Sequence, residues 1–409
     1  MNLINKAPLL LLLAVSVSCT STKPSTFEYP TPEDTSTREI TDQIKTSYRF
    51  DGVYVDNQFD CARMNGFRQI NDTTFRVMVS PENTPINESA YFSFRIRSER
   101  HRKIDLEIEY AEHPHRYVPK LSYDGRNWTA MDSTEFDTLK GSFLATLRLR
   151  LDERPLFVSA QELMCSDNAR EWTDSLASSH AFISQAVAGQ SKRGRDILFL
   201  DINETAEAEK DCIVIISRMH PPEVPGYMAM QHFVERLLDD SRLSKSFRKS
   251  HRILVYPMLN PDGVDLGHWR HNTGGIDLNR DWAYYRQEET KVVVDHMVQF
   301  VKKEKLKVLV GLDFHSTQED IYYTLTNNRK SHVYGFKDIW LEGIERSLDD
   351  YSPNDAPFDL DQPISKAWFY LQFGAEGITY EVGDETPRNF VRQKAIVAAE
   401  EMMKLLVLR

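Results

Sequence analysis

The hydrophobic pattern of this chain changes period once, and that change restricts the fold more than any other feature. From residue 45 to 155 apolar and polar residues alternate: Phe92, Phe94 and Ile96 interleave with Arg95 and Arg97, and Ile104, Leu106 and Ile108 with Asp105, Glu107 and Glu109. A period of two turns one face of each segment to a core and the other to water, so these segments are half-buried strands. Their short spacing, with no helical stripe between them, predicts a small antiparallel β-sandwich over 45–155. The arginine face of one strand would answer the acidic face of the next across an antiparallel pair, and Asp124-Gly125 offers a turn. After about residue 170 the runs 197–200, 213–216, 253–256, 308–312 and 378–380 are apolar and lie between longer segments. In one such segment Met230, Phe233, Val234, Leu237 and Leu238 recur at helical spacing. This alternation predicts an α/β domain over 170–409, a mixed central sheet flanked by helices. Two folded domains suit a chain of 409 residues.

The first 19 residues read differently. A lone Lys6 precedes an apolar run from Ala7 to Val17, and Ser18-Cys19 follows. The run is too short for a bilayer core, which needs about 20 residues, and reads as an export signal. It resembles a bacterial lipoprotein signal, in which Cys19 would become the lipidated first residue. That resemblance implies an exported protein, periplasmic or on the outer membrane of a bacterium, touching a membrane only through its lipid. Residues 20–44, rich in Thr, Ser and Pro without any period, predict a flexible tether. With 50 Lys and Arg against 61 Asp and Glu the net charge is -11, which argues against nucleic acid as a partner. Cys61, Cys165 and Cys212 are odd in number and widely spaced, and predict neither a zinc knuckle nor a disulfide framework.

Ligands of open α/β sheets bind beyond the strand ends, so chemistry is sought there. A His followed three residues later by an acid occurs twice with Glu. His232 and Glu235 lie on the helix, off its apolar stripe, and form a solvated pair. His220 and Glu223 follow the run 213–216 directly. Pro221-Pro222 between them forbids a regular strand or helix interior, and on such a tight loop both side chains can converge on one cation. His315 ends the run that begins at 308. Two imidazoles and one carboxylate, with a fourth position open, make a catalytic zinc set rather than a structural one. Asn260-Pro261-Asp262-Gly263 and Gly274-Gly275 read as turns. Arg270, Asn279 and Arg280 lie in the loops near this cation, and an arginine fork suits a carboxylate.

Six elements recur in a telling order: Arg218-Met219-His220-Pro221-Pro222-Glu223, Asn260-Pro261-Asp262-Gly263-Val264, Trp269-Arg270, Asp277-Leu278-Asn279-Arg280-Asp281-Trp282, His315-Ser316-Thr317 and Ile378-Thr379-Tyr380-Glu381-Val382. In these the chain resembles the zinc metallocarboxypeptidase family, the carboxypeptidase A-like enzymes and, more closely, their cytosolic-carboxypeptidase-like branch. The resemblance covers about 170–409, and the preceding β-domain resembles the one that branch carries. It implies one zinc ion held by His220, Glu223 and His315, with Asp277 orienting His220. Arg270 would stabilise the oxyanion, and Asn279 and Arg280 would clamp the terminal carboxylate of a peptide substrate. Glu381 would be the general base that takes a proton from the attacking water and passes it to the leaving amine.

Two departures from the family pattern stand out. The family's mobile tyrosine, some two dozen residues before the general base, has no counterpart in 359–363, and Tyr370, closer to Glu381 in sequence than that tyrosine would be, leaves its replacement open. An ungapped alignment from Glu381 puts Lys366 where the family selects the released side chain, which implies an acidic C-terminal residue; the other reading is a solvated loop lysine. The expected function is an exported zinc carboxypeptidase acting on peptides, a bacterial wall stem peptide among them. A zinc deacylase of N-acyl amino acids, aspartoacylase-like, and a non-catalytic surface binding protein are the alternatives. The sequence does not set an oligomeric state.

Overall fold

The computed structural model describes residues 23–29, 38–139, 141–205 and 210–408. The export signal and Cys19 lie outside the described residues. The alternating segment gives eleven strands: β1 (Ser47–Phe50), β2 (Val53–Asp56), β3 (Gly66–Gln69), β4 (Thr74–Val79), β5 (Ser93–Ser98), β6 (Arg102–Tyr110), β7 (Lys120–Ser122), β8 (Thr129–Ala130), β9 (Phe136–Thr138), β10 (Leu144–Leu151) and β11 (Leu156–Ser159). They form two sheets, β1-β2-β5-β11-β7-β8 and β3-β4-β6-β10-β9, antiparallel except where β4 runs beside β6. The sandwich therefore extends past the expected boundary at 155. Phe94, Ile96, Leu106, Ile108, Leu147 and Leu149 meet in one core between the sheets. Since β5 and β6 belong to different sheets and share that core, their charged faces point away from each other. The expected pairing of the Arg95 strand with the Glu107 strand is thus not made: Arg76 on β4 takes Glu107 at 2.6 Å, and Arg95 takes Asp56 at 2.6 Å.

The second half builds β12 (Ile183–Gln190), β13 (Asp196–Ile202), β14 (Asp211–Ser217), β15 (His251–Tyr256), β16 (Lys307–Thr317), β17 (Ile321–Thr324), β18 (Asp355–Pro357) and β19 (Glu376–Gly383). Their order in one mixed sheet is β12-β13-β15-β14-β16-β19-β17-β18. Its centre, β15-β14-β16-β19, is parallel. Strands covered on both faces need continuous apolar runs; the runs 213–216, 253–256, 308–312 and 378–380 fall in these four strands, and 197–200 falls in β13, antiparallel beside β15. The helices are α1 (Ser166–Ser179), α2 (Val224–Leu238), α3 (Arg242–Ser250), α4 (Pro261–Asp265), α5 (Glu288–Lys303), α6 (Phe336–Ser347), α7 (Ser365–Phe373) and α8 (Arg388–Val407). The stripe of α2 packs with α6 and α8 on one face, and α5 with α7 covers the other. His232 and Glu235 form the expected exposed pair at 3.2 Å.

Two expectations are corrected. Cys61 in the β-domain and Cys165 at the start of α1 form a disulfide, while Cys212 is free and buried. The partners stand 104 residues apart in sequence, and only the docking of the two domains brings them together. The segment expected to be a tether lies against the body wherever it is described. Phe27 packs against the core beside α5 and α7, and Tyr29 is buried. Gln43 donates to the Leu266 carbonyl at 2.9 Å and accepts from the Met64 amide at 3.0 Å. Two aromatic rings and one side-chain amide hold a stretch that has no period of its own. No helix among the described residues is long and apolar enough to cross a membrane.

A cross-link over so long a loop restricts the unfolded chain strongly. Cys165→Ser is expected to lower the free energy of unfolding by about 2–4 kcal/mol, read as a fall in the urea midpoint. An unchanged midpoint, with both thiols open to alkylation in the native protein, would show that the bond does not form.

Candidate metal centre

The parallel register places the site. Along β14, β16 and β19, Ser217 lies beside Phe314, and His315 beside Glu381. Asp313 and His315 are two apart on β16 and so share one side of it. After β14 the chain turns through Arg218, at a φ of 55°, and the two prolines, which bring His220 and Glu223 back over the strand ends. Asn260 braces this loop. Its Nδ2 donates to the Met219 carbonyl at 2.9 Å, and its Oδ1 accepts the Gly263 amide at 2.9 Å to cap α4. The segment read as a turn is also the support beneath His220. Gly226 lets α2 approach β16: a Cβ there would lie 2.2 Å from the His315 carbonyl oxygen.

One donor atom each from His220, Glu223 and His315 lie within 4.8 Å of one another, and all three residues are buried. Nδ1 of His220 is 2.8 Å from one Glu223 oxygen, Nδ1 of His315 is 2.7 Å from the other, and the two Nδ1 atoms are 3.0 Å apart. Two imidazole nitrogens so close need a hydrogen or a metal ion between them. The outward nitrogens each meet a carboxylate: His220 Nε2 is 2.8 Å from Asp277, and His315 Nε2 is 2.8 Å from Asp313. A carboxylate behind each ring fixes its orientation, as at metal-binding histidines. Burial alone would lower the His315 pKa, but Asp313 and Glu223 raise it well above the ordinary value. Burial would raise that of Glu223, but His220 and His315 hold it well below. The pocket thus draws positive charge, and a dication can take the place of the proton. This donor set fits zinc, with a fourth position open.

A cavity of about 450 Å³ opens beside this cluster, lined by His220 and Glu223 and also by Arg270, Asn279, Arg280 and Glu381. Oε2 of Glu381 is buried with no hydrogen-bond partner among the described residues. Burial, opposed by His315 and reinforced by Glu223, pushes its pKa up to about 8. Arg270 grips one oxygen of Asp277 through Nε at 2.9 Å and Nη2 at 2.8 Å, which turns Nη1 to within 3.7 Å of Glu223. Arg280 contacts the Asn279 carbonyl at 2.8 Å and Asp277 at 3.8 Å, both through Nη1. Asn279 accepts the Ser365 amide at 3.0 Å.

Lys366 stands apart from this group. It is fully buried on α7, and its Nζ donates to the carbonyls of Thr324 at 2.8 Å and Phe358 at 2.7 Å. The Phe358 ring, which does line the cavity, is centred 3.3 Å from that nitrogen. Burial lowers the lysine's pKa to about 7. It is therefore neither a solvated loop lysine nor directly open to a substrate carboxylate, and the expected direct pairing is corrected: sequence offset cannot say where a side chain points. Tyr323 on β17 faces the cavity, whereas Tyr370 is not among its lining residues. Asn87 and Arg116 reach the cavity from the β-domain, Arg116 bonding Asp384 at 2.8 Å. Nothing in the sequence marks them. Asp313 did carry a signal, as a lone acid inside an apolar run two residues before a histidine.

Residues 169–396 match the family described as zinc carboxypeptidase. Cytosolic carboxypeptidase 6 of Caenorhabditis elegans is 27% identical over 179 residues, covering 42% of this chain and 39% of that protein. Cytosolic carboxypeptidase 6 of Mus musculus is 33% identical over 183 residues, 42% of this chain and 34% of that one. The chain thus spans well under half the length of these curated relatives. Among solved structures, a metallo-carboxypeptidase from Burkholderia cenocepacia superposes with a TM-score of 0.72 at 17% identity, over 87% of this chain and 98% of that one. A metallo-carboxypeptidase from Pseudomonas aeruginosa, in complex with (2-guanidinoethylmercapto)succinic acid, gives 0.68 at 16% identity, over 87% and 100%. At that identity the likeness is one of fold, and it takes in the β-domain as well.

Proposed function

Because the chain belongs to the zinc carboxypeptidase family, we propose that it hydrolyses the C-terminal peptide bond of peptides. One observation carries this reading: His220 and Glu223 of the three-donor cluster, an unpartnered carboxylate oxygen on Glu381 and the arginines Arg270 and Arg280 line one cavity. His220, Glu223 and His315 would hold the zinc, which supplies Lewis-acid chemistry, polarising the scissile carbonyl and acidifying water. Glu381, free of any other hydrogen bond at Oε2 and favoured in its charged form once a dication stands beside it, accepts a proton from the attacking water and returns it to the leaving amine. Arg270, held by Asp277, presents Nη1 to the negative charge that develops on the carbonyl oxygen. Arg280 keeps Nε and Nη2 for the substrate's terminal carboxylate, with Asn279 beside it. No observation favours a deacylase or a non-catalytic surface protein.

Glu381→Gln is expected to lower kcat about 10²- to 10⁴-fold while one zinc per chain is retained, read on peptides by mass spectrometry with metal analysis. A chelator should abolish release of single C-terminal residues, and zinc should restore it. Full activity of Glu381→Gln would sink this mechanism.

For the released residue, an acidic side chain would meet Lys366 only past the Phe358 ring. We expect Lys366→Met to change the ratio of kcat/KM for acidic over apolar C-terminal residues by less than about tenfold, below what loss of a direct pocket contact costs. A larger collapse of that ratio would return Lys366 to selection.

Action outside the cytoplasm, on a wall stem peptide among others, is supported by the Cys61–Cys165 disulfide, since such bonds persist in oxidising compartments. The mass of the mature N-terminus tests it: a lipid-modified Cys19 or a cleaved signal is expected, and an intact Met1 in the purified native protein would refute export.

A further inference from the structure

The loop that carries Arg270 is held by a residue of the other domain. Glu82, just beyond β4, is fully buried. Its Oε2 accepts the Trp269 amide at 2.7 Å, and its Oε1 accepts those of Arg270 at 3.0 Å and His271 at 2.6 Å. Three consecutive amides pointing at one spot leave no place for ordinary secondary structure. Only an anionic group with two acceptor oxygens satisfies all of them. A glutamine would offer one oxygen and turn an NH2 group on the remaining N–H donors.

Neighbouring contacts fix the same loop. Asn83 Oδ1 lies 2.7 Å from His271 Nδ1, and its Nδ2 donates to the Gly275 carbonyl at 2.9 Å. The Trp269 side chain is buried in the core of the β-sandwich, with its ring centroid 6.4 Å from that of Tyr110. Two adjacent residues thus point opposite ways, Trp269 into one domain's core and Arg270 into the other domain's active site. The carboxylate of Glu82 sits where the chain divides between them.

We propose that Glu82 is a positioning residue for catalysis: by holding the backbone of Trp269, Arg270 and His271 it places the Arg270 guanidinium against Asp277 and the metal donors. The β-domain is then a working part of the active site. This rests on the reading of Arg270 given above.

The test compares Glu82→Gln, Arg270→Ala and the double variant in the full-length zinc enzyme. Glu82→Gln is expected to lower kcat about ten- to a hundredfold, the scale of a small misplacement of a catalytic group, with KM within about twofold and one zinc per chain. In the Arg270→Ala background it should cost less than about twofold more, because the group it positions is gone. A normal kcat in Glu82→Gln beside a disabled Arg270→Ala overturns the proposal alone, as does a loss that multiplies in the double variant. Full kcat in Arg270→Ala overturns the reading of Arg270 and this proposal with it. Should Glu82→Gln not fold, hydrogen exchange on the wild type decides. The amides of Trp269, Arg270 and His271 are expected to be protected as strongly as those of β6 and β10, about a thousandfold or more. Exchange near the free-peptide rate overturns the proposal.

Discussion

Four carboxylates, on Glu223, Asp277, Asp313 and Glu381, crowd around two imidazoles and one guanidinium, and the rest of the structure depends on how that charge is balanced. Poorly solvated carboxylates this close repel strongly unless cations stand among them. Arg270 answers Asp277, and whatever sits between His220 and His315 answers Glu223. Asp313 shares a hydrogen bond with Ser365 as well as with His315. Among the described residues Asp313 and Glu381 each keep one oxygen without a partner, but only Glu381 lines the cavity, and an unsatisfied carboxylate there is a group kept available for chemistry. The brace from Asn260, the close approach at Gly226 and the register of β16 on β19 all hold these groups at separations where balance is possible.

Much of this was legible in the sequence because it follows from short-range periodicity. The strands, the stripe of α2 and the histidines at strand ends are set by where successive side chains must point. Asp313 was overlooked because a single acid in an apolar run looks like noise until the second nitrogen of His315 is asked for its acceptor. Lys366 was misplaced because an offset counted from Glu381 fixes a position along α7 but not whether the ammonium meets the cavity or two carbonyls behind it. The Cys61–Cys165 bond, Arg116 and Glu82 left no local trace. Each acts across the domain boundary, and no window of neighbouring residues contains both ends of such a contact.

That boundary is accordingly unlike a flexible junction. Arg116 bonds Asp384, Lys120 bonds Glu385 at 3.1 Å, and the disulfide and Glu82 tie the same two bodies elsewhere. Loosely apposed domains move by default. Here the charged pairs across the boundary are shielded from solvent on at least one side, and separating the domains would expose them along with the indole of Trp269.

The place of Trp269 also bears on the order of assembly. It completes the sandwich core yet lies 187 residues after Glu82 in the chain. When synthesis has finished the eleven strands, their core still lacks its last ring, and the carboxylate of Glu82 has none of the three amides that will cover it. Contacts of such sequence separation form late and slowly. The hydrophobic period divides this molecule into two domains, but in the ribosome's order of events the first cannot close until the middle of the second has been made.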